Sequence, residues 1–198
     1  GRVAWAVAGA LVGVAVVEAI AVGELADVGA LVRAGALARG AVDAGEWWRV
    51  VACIGLHVGA IHLVVNALGV ILIGRLVEAI FGGARLVAIF GGAGVAGAVA
   101  SYLAAPVGLS AGASGGVLGL VGALLAELTL HRAGYRAAWK RGVWGALAVV
   151  AIGQLGSDFL FPTFDQWAHA AGLGAGVVLG AALSPRARWA RQIGRAHV

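Results

Sequence analysis

Six apolar runs, each long enough to cross a lipid bilayer, constrain the fold of this chain more than any other feature of its sequence. A membrane-spanning helix needs about 17–25 mostly apolar residues. Runs such as LVVNALGVILIG lack the alternation of apolar and polar residues that is typical of a membrane β-strand. The sequence therefore predicts an all-α polytopic membrane protein in which residues 1–198 form a single six-helix domain. The spans are predicted at about 3–22, 60–80, 84–104, 114–131, 142–158 and 167–183.

The composition supports a membrane protein and argues against nucleic acid as a partner. Of the 198 residues, 62% are hydrophobic and only 12% are charged, whereas soluble domains have about 45–50% apolar and about 25% charged residues. The net charge is +5, but the basic residues cluster in short loops between the spans, where they indicate topology. Cys53 is the single cysteine, which excludes an internal disulfide and a cysteine-rich metal site.

The distribution of Lys and Arg predicts the orientation of the six spans. Cytoplasmic loops carry an excess of these residues, and the six-span arrangement puts eleven of them on one side and three on the other. We therefore expect both termini in the cytoplasm, and the short loops indicate a bacterial inner (plasma) membrane. The eleven are Arg2, Arg75, Arg85, Arg132, Arg136, Lys140, Arg141, Arg186, Arg188, Arg191 and Arg195, and the three are Arg33, Arg39 and Arg49.

Four polar residues within the apolar spans are the candidate functional residues. His62 and Asn66 lie near the start of the second span, Ser114 opens the fourth, and His169 opens the sixth. Because the even-numbered spans run inward, all four residues are predicted at one depth, just below the outer face. Polar groups are costly in hydrocarbon, so their common depth predicts a functional site there.

Ser114 and His169 form a candidate pair of nucleophile and general base. Gly112 and Gly115 flank the serine closely and leave its Oγ accessible, and a histidine within reach activates a serine hydroxyl. Other interpretations stay open for both residues. Serine is a favoured helix N-cap, and serine among glycines also packs membrane helices together. A lone histidine can instead be a satisfied core residue, although beside a reachable serine a general base is the better interpretation.

A stripe of glycines on the sixth span predicts close helix packing that would bring Ser114 and His169 together. Gly172, Gly176 and Gly180 recur every four residues after His169. Small residues at this spacing let two membrane helices approach closely. The fourth span offers a similar set that begins at Gly115, so these two helices are predicted to pack against each other.

His62 and Asn66 are candidate oxyanion-hole donors. They are four residues apart and so lie on one helical face, and both side chains can donate hydrogen bonds to a developing oxyanion. Alternatively, Asn66 packs helices together with His62 as its partner.

Other intramembrane protease chemistries find less support in the sequence. A zinc protease is disfavoured because no His-Glu-x-x-His motif occurs. Asp158 and Asp165 are predicted in or beside an external loop, so no third triad member is evident and a Ser–His dyad is indicated.

Three segments carry motifs that belong together. A Trp-Arg pair and a His-x4-His-x3-Asn span occur in WWRVVACIGLHVGAIHLVVNALGVILIGRLVEAIFG. A Gly-x-Ser-Gly motif occurs in GASGGVLGL, and an Ala-His-x2-Gly-x3-Gly motif occurs in AHAAGLGAG. They appear in this order over most of residues 47–180. Jointly they resemble the rhomboid family of intramembrane serine proteases.

The resemblance implies a six-transmembrane-helix rhomboid-like bundle with a defined role for each candidate residue. Ser114 is implied to be the nucleophile and His169 the general base. His62 and Asn66, with the backbone amide of Ser114, are implied to stabilise the oxyanion. The implied reaction is endoproteolysis of transmembrane segments near the outer face. Its partners are transmembrane protein substrates and the lipid bilayer, with no cofactor, metal or nucleic acid.

The resemblance also covers supporting residues and contains one departure. Trp48 and Arg49 are implied to belong to an external loop that lies against the membrane, and the fifth span is implied to gate access. Four residues after the nucleophile the family often has an aromatic ring that packs on the catalytic histidine, whereas this chain has Leu118.

The alternative function is a catalytically weak or inactive rhomboid-fold protein that binds other membrane proteins. A small transporter is disfavoured because the polar residues lie near one membrane face rather than at the midplane.

Overall fold

Long helices occupy all six predicted spans in the computed structural model of the chain, which describes residues 1–23, 27–105, 109–160 and 165–185. In chain order the elements are α1 (Arg2–Val22), α2 (Val28–Ala34), β1 (Leu37–Ala38), α3 (Arg39–Asp43), α4 (Arg49–Ala52), α5 (Gly59–Phe81), α6 (Gly83–Ala104), β2 (Leu109–Ser110), α7 (Ser114–Leu130), α8 (Ala137–Leu160) and α9 (Gln166–Leu183), with 3-10 turns at Cys53–Gly55 and Arg132–Gly134.

The helix boundaries agree with the predicted spans to within about two residues, except at α8. Among the described residues, the helices α1, α5 and α6 have both the length and the hydropathy to cross a membrane. Helix α8 begins at Ala137, five residues before the predicted start at 142. The intervening sequence contains Trp139, Lys140 and Arg141. Such side chains keep an apolar stem or ring against the membrane with the polar end in water, so the helix begins before its first fully apolar turn.

Helix α7 is the central helix of the bundle. It packs against α5, α6, α8 and α9, and side chains along its length, including Leu120, Leu124 and Leu128, are buried. Its 17 residues correspond to about 26 Å at 1.5 Å per residue. This is shorter than the roughly 30 Å hydrocarbon core of a bilayer. At least one end of α7 therefore lies below the membrane surface.

Helices α1 and α5 pack against each other and share a polar contact at one end. The carboxylate of Glu78, near the end of α5, accepts hydrogen bonds from the backbone N–H groups of Val3 at 3.2 Å and Ala4 at 2.8 Å. The first N–H groups of a helix have no partner within it, so this carboxylate satisfies the start of α1. The start of α1 and the end of α5 therefore lie at the same end of the bundle.

The segment between α1 and α5 covers the opposite end, which we call the outer end because the sequence predicts that it faces outward. Strand β1 of this segment pairs antiparallel with β2, with Leu37 opposite Ser110 and Ala38 opposite Leu109. The Tyr102 hydroxyl, near the end of α6, donates a 2.7 Å hydrogen bond to Asp43. The segment is therefore fixed both to α6 and to the residues that precede α7.

Candidate active site

Ser114 and His169 meet at the outer end of the bundle. Ser114 is the first residue of α7, and His169 lies in the first turn of α9. Their reactive atoms, Oγ and Nε2, are 2.6 Å apart, and His169 is buried. A neutral imidazole with its proton on Nδ1 accepts the hydroxyl proton at Nε2. The structure thus brings together the two residues that the sequence singled out as nucleophile and base.

Backbone contact between α7 and α9 holds this pair in place. A Cβ built on Gly172 would collide with the carbonyl oxygen of Gly115, and one on Gly176 would collide with that of Gly119. The glycine stripe predicted from the sequence is confirmed as a helix contact, and it forms the most extensive interface between described elements. Because no side chain separates the two backbones, the position of the His169 backbone relative to that of Ser114 is set by main-chain contact.

A carboxylate that the sequence analysis did not assign to the site completes the contacts of His169. Asp158 Oδ2 lies 2.7 Å from His169 Nδ1, and Asp158 is only 2% exposed. Asp158 belongs to the last turn of α8, two residues before the helix ends, and the sequence analysis missed its contact with His169. Gln154, one turn earlier, donates from Nε2 to Asp158 Oδ1 at 2.8 Å. The dyad inferred from the sequence is therefore incomplete as a description of the contacts.

His62 packs against the residues that precede the serine. A Cβ on Gly112 would lie 2.7 Å from His62 Cε1 and 3.1 Å from Nε2, and Gly112 has a φ of 141°. Both the space and the backbone conformation therefore require glycine at this position. The Val58 amide donates to His62 Nδ1 at 3.4 Å, which leaves Nε2 to carry the proton of the neutral ring. This donor is on the side of the ring that contacts Gly112.

Asn66 lies one turn further along α5 and is buried. Its side-chain amide donates a 2.9 Å hydrogen bond to the backbone oxygen of His62. Among the described residues, the Asn66 amide nitrogen makes this one hydrogen bond. No hydrogen bond among them joins Asn66 to Ser114. His62 and Asn66 therefore lie on one helical face, as predicted. Because one amide proton of Asn66 is already donated to His62, an oxyanion role for Asn66 needs its second amide proton.

Trp48 and Arg49 organise the segment that covers the outer end. The Arg49 guanidinium is bonded to Glu46 at 2.7 Å and to the backbone oxygens of Val32 and Ala36 at 2.6 and 2.9 Å. It also stacks over the Trp48 ring, 4.8 Å from the ring centroid. Arg49 is buried, whereas Trp48 is 53% exposed. The arginine thus joins several turns of the segment, while the tryptophan presents an apolar face outward.

Gly115 and Leu118, the two remaining predicted site residues, lie inside the bundle. A Cβ on Gly115 would lie 3.3 Å from the carbonyl oxygen of Ala168, next to His169. Leu118 is buried in the main hydrophobic core, one turn after Ser114, and its packing against His169 stays a prediction. In the part of the chain that the structure describes, no group of three or more His, Cys, Asp or Glu side chains is placed to hold a metal ion.

Comparison with known proteins gives one consistent family. The family model described as the Rhomboid domain matches residues 44–186. The chain is 37% identical over 139 residues to rhomboid protease GluP of Bacillus subtilis, a match covering 70% of this chain and 26% of the relative. It is 36% identical over 153 residues to RHOMBOID-like protein 5 of Arabidopsis thaliana, covering 76% of this chain and 48% of the relative.

A third relative gives the same picture. The chain is 36% identical over 150 residues to the mitochondrial RHOMBOID-like protein 6 of Arabidopsis thaliana, covering 75% of this chain and 48% of the relative. The chain thus spans about half the length, or less, of these relatives. The family model covers well over half of the chain and includes every candidate site residue. This chain is therefore an integral membrane protein that belongs to the rhomboid family.

Proposed function

We propose that this chain is an intramembrane serine endopeptidase that cleaves transmembrane segments of membrane proteins near the outer membrane face. Membership of the rhomboid family supports an intramembrane-protease role in general terms. The observation that carries the specific proposal is the 2.6 Å contact between Ser114 Oγ and His169 Nε2 inside an apolar bundle. A serine with a base in contact is the arrangement that nucleophilic catalysis needs.

In the first step Ser114 attacks the carbonyl carbon of the scissile peptide. His169 Nε2 takes the hydroxyl proton as the bond from Oγ to carbon forms, and the carbonyl oxygen becomes an oxyanion. The backbone N–H of Ser114, at the positive end of α7, and the His62 Nε2–H are the donors we assign to it. Asn66 supplies a third donor through its second amide proton.

In the second half of the reaction the same residue carries the remaining proton transfers. His169 gives its proton to the leaving amine as the carbon–nitrogen bond breaks, which leaves an acyl group on Ser114. It then takes a proton from a water molecule, whose oxygen attacks the acyl carbon. The bond between Oγ and the acyl carbon then breaks, His169 returns this proton to Ser114 Oγ, and the new carboxyl end is released.

The site's place at the outer end supports cleavage near the outer membrane face. Ser114 begins a helix that is shorter than the hydrocarbon core, so a site just below the surface fits its position. The exposed Trp48 near this end suits the membrane interface, where tryptophan is enriched. We assign the membrane as a bacterial inner membrane, with both termini in the cytoplasm, from the short loops and the distribution of basic residues.

Substitution of the nucleophile tests this proposal. Ser114→Ala is expected to reduce cleavage of a model transmembrane substrate to background in proteoliposomes, and to abolish labelling by a fluorophosphonate probe. Alanine suits a helix, so the variant should keep its thermal stability. Asn66→Ala should retain residual cleavage, because loss of one oxyanion donor costs on the order of 10²–10³ in rate.

Ser110 provides the matched control, since it lies in β2 rather than at the start of α7. Ser110→Ala should keep cleavage and labelling within about threefold of wild type, because a hydroxyl outside the reacting pair contributes no bond-making step. Cleavage by Ser114→Ala would overturn the assignment of the nucleophile. A folded wild-type protein that neither cleaves nor labels would favour the inactive membrane-protein binder instead.

A further inference from the structure

The face of His169 that points away from the serine is occupied by a buried carboxylate. Nε2 faces Ser114 Oγ at 2.6 Å, and Nδ1 faces Asp158 Oδ2 at 2.7 Å. Because the carboxylate accepts the proton on Nδ1, the ring presents an unprotonated Nε2 to the serine. Both ring nitrogens therefore have the partner that a general base requires, and a single tautomer satisfies both contacts.

The carboxylate is itself held in one orientation. Gln154 lies four residues before Asp158 on α8, and its amide donates to Asp158 Oδ1 at 2.8 Å. A buried charge that lacks partners is costly, and here each carboxylate oxygen has one. Asp158 is 2% exposed and His169 is 5% exposed, so water competes little for these hydrogen bonds.

We propose that Asp158 is a positioning residue for His169, so that the site works through three residues rather than a Ser–His dyad. This inference rests on the proposed protease function. When His169 takes the Ser114 proton, the ring becomes a cation, and the Asp158 carboxylate beside Nδ1 stabilises it without taking a proton. When His169 passes that proton to the leaving amine, the ring returns to the same tautomer, because the Nδ1–H···Oδ2 hydrogen bond has stayed in place.

The competing explanation is that Asp158 only joins α8 to α9. A purely structural link would affect folding and substrate binding, whereas a positioning residue acts on the chemical step. The variant Asp158→Asn separates the two, because asparagine keeps the volume and can still form a hydrogen bond. Its amide N–H can donate to Nδ1, which favours the tautomer with the proton on Nε2, and that tautomer cannot accept the serine proton.

Steady-state cleavage of a model transmembrane substrate in proteoliposomes tests the inference. For Asp158→Asn we expect kcat to fall by about 10²–10⁴, with KM within about threefold of wild type, since loss of the carboxylate from a comparable triad costs about 10⁴. The rate of fluorophosphonate labelling of Ser114 should fall in parallel. Asp158→Glu keeps a carboxylate and should recover at least about tenfold in kcat over Asp158→Asn.

A second aspartate close to the site provides the matched control. Asp165 caps α9, and its Oδ1 accepts the backbone N–H of Ala168 at 3.0 Å. Asparagine caps helices as well as aspartate does, so Asp165→Asn should keep kcat within about threefold of wild type. Thermal unfolding of all variants in detergent reports whether each is folded.

Four results would overturn the inference. They are a kcat of Asp158→Asn within about threefold of wild type, an equal loss in Asp158→Glu, a loss carried by KM alone, and a loss matched by a collapse of thermal stability. In each of these cases wild type cleaves and Ser114→Ala does not, so the proposed function stands while this inference fails. If wild type neither cleaves nor labels, the proposed function fails and the inference fails with it.

Discussion

The burial of His57, whose ring lies 5.3 Å from the ring of His62, has a clear effect on its ionisation. The residue lies in the segment that joins the 3-10 turn at Cys53–Gly55 to α5, and its side chain is 0% exposed. Nδ1 lies 3.1 Å from the Gly55 carbonyl oxygen, whereas Nε2 has no hydrogen-bond partner among the described residues. Burial, together with the nearby His62 ring, lowers the pKa of His57 to about 4. The ring is therefore neutral at physiological pH.

The lowered pKa of His57 predicts a loss of stability in mild acid. In the unfolded chain histidine has a pKa of about 6.5, so between pH 6.5 and pH 4 the unfolded state binds a proton that the folded state does not. The free energy of unfolding should therefore decrease as the pH falls through this range, by on the order of 3 kcal/mol from His57 alone. Thermal unfolding in detergent at pH 7 and pH 4.5 measures the loss.

The variant His57→Gln isolates this contribution. Glutamine has no titratable ring, so the variant should lose less stability than wild type over the same pH range, whatever its stability at pH 7. An equal loss in the two proteins would show that His57 is not the group responsible.

The polar residues of the site differ in how well the sequence reveals them. Ser114, His169 and Asn66 stand out because each interrupts an otherwise apolar span. Asp158 does not, because it follows several polar residues at the end of a span, and hydropathy cannot distinguish a polar helical turn facing the protein interior from a loop. The spacing of four between Gln154 and Asp158, which puts both on one helical face, was the available signal.

At the scale of the elements, the contact between α7 and α9 determines the geometry of the site. Glycines on both helices let the two backbones touch, so the separation of the Ser114 and His169 backbones depends on main-chain contacts. Packed interiors respond to the addition of even one methyl group. Small changes at these glycines should therefore affect both stability and catalysis.

Gly176→Ala is expected to destabilise the protein by about 1–3 kcal/mol or more, because the new Cβ would collide with the Gly119 carbonyl oxygen. The displacement of α9 should also lower kcat. Gly174 is the matched control on the same helix, since a Cβ there meets nothing within 4 Å. Gly174→Ala should be neutral or slightly stabilising, because alanine is the better helix former. Equal effects of the two variants on thermal unfolding would contradict the assigned contact.

The extent of the helices could be predicted well from the sequence, and the reason is physical. A span must cover the hydrocarbon thickness, so an apolar run of the right length determines both ends of helices such as α5 and α6. The start of α8 could not be found in this way, because the Trp139–Arg141 turn is helical without being apolar. The pairing of β1 with β2 was also not predicted, since two residues per strand leave no periodicity to detect.

At the scale of the whole molecule, charge and structure together support one orientation in the membrane. The start of α1 and the end of α5 lie at the same end of the bundle, as an even-numbered span running inward requires. Most of the basic residues fall at that end in the six-span arrangement. We propose that this end is cytoplasmic and that the segment between α1 and α5 faces outward.

Single-cysteine accessibility tests this orientation. A cysteine replacing Ala44, after α3, should react with an impermeant thiol reagent added outside intact cells, whereas one replacing Ala138, at the start of α8, should react only after the membrane is permeabilised. The native Cys53 is buried, and burial, together with the charge of Asp165, raises the pKa of its thiol to about 12. At pH 8 only about one such thiol in ten thousand is ionised, so it gives little background. External labelling at position 138 would reverse the orientation.

For protein engineering, the glycine contacts divide the molecule into two zones with very different tolerance to mutation. Along α5 the outward side chains of Ile61, Leu68 and Leu72 are 82%, 50% and 69% exposed, so exchanging one apolar residue for another there changes only the contact with lipid. Between α7 and α9 there is no room for even a methyl group at Gly172 or Gly176. A library that adapts this protein to a new membrane or detergent should therefore vary the lipid-facing positions of α5 and leave the α7–α9 contact untouched.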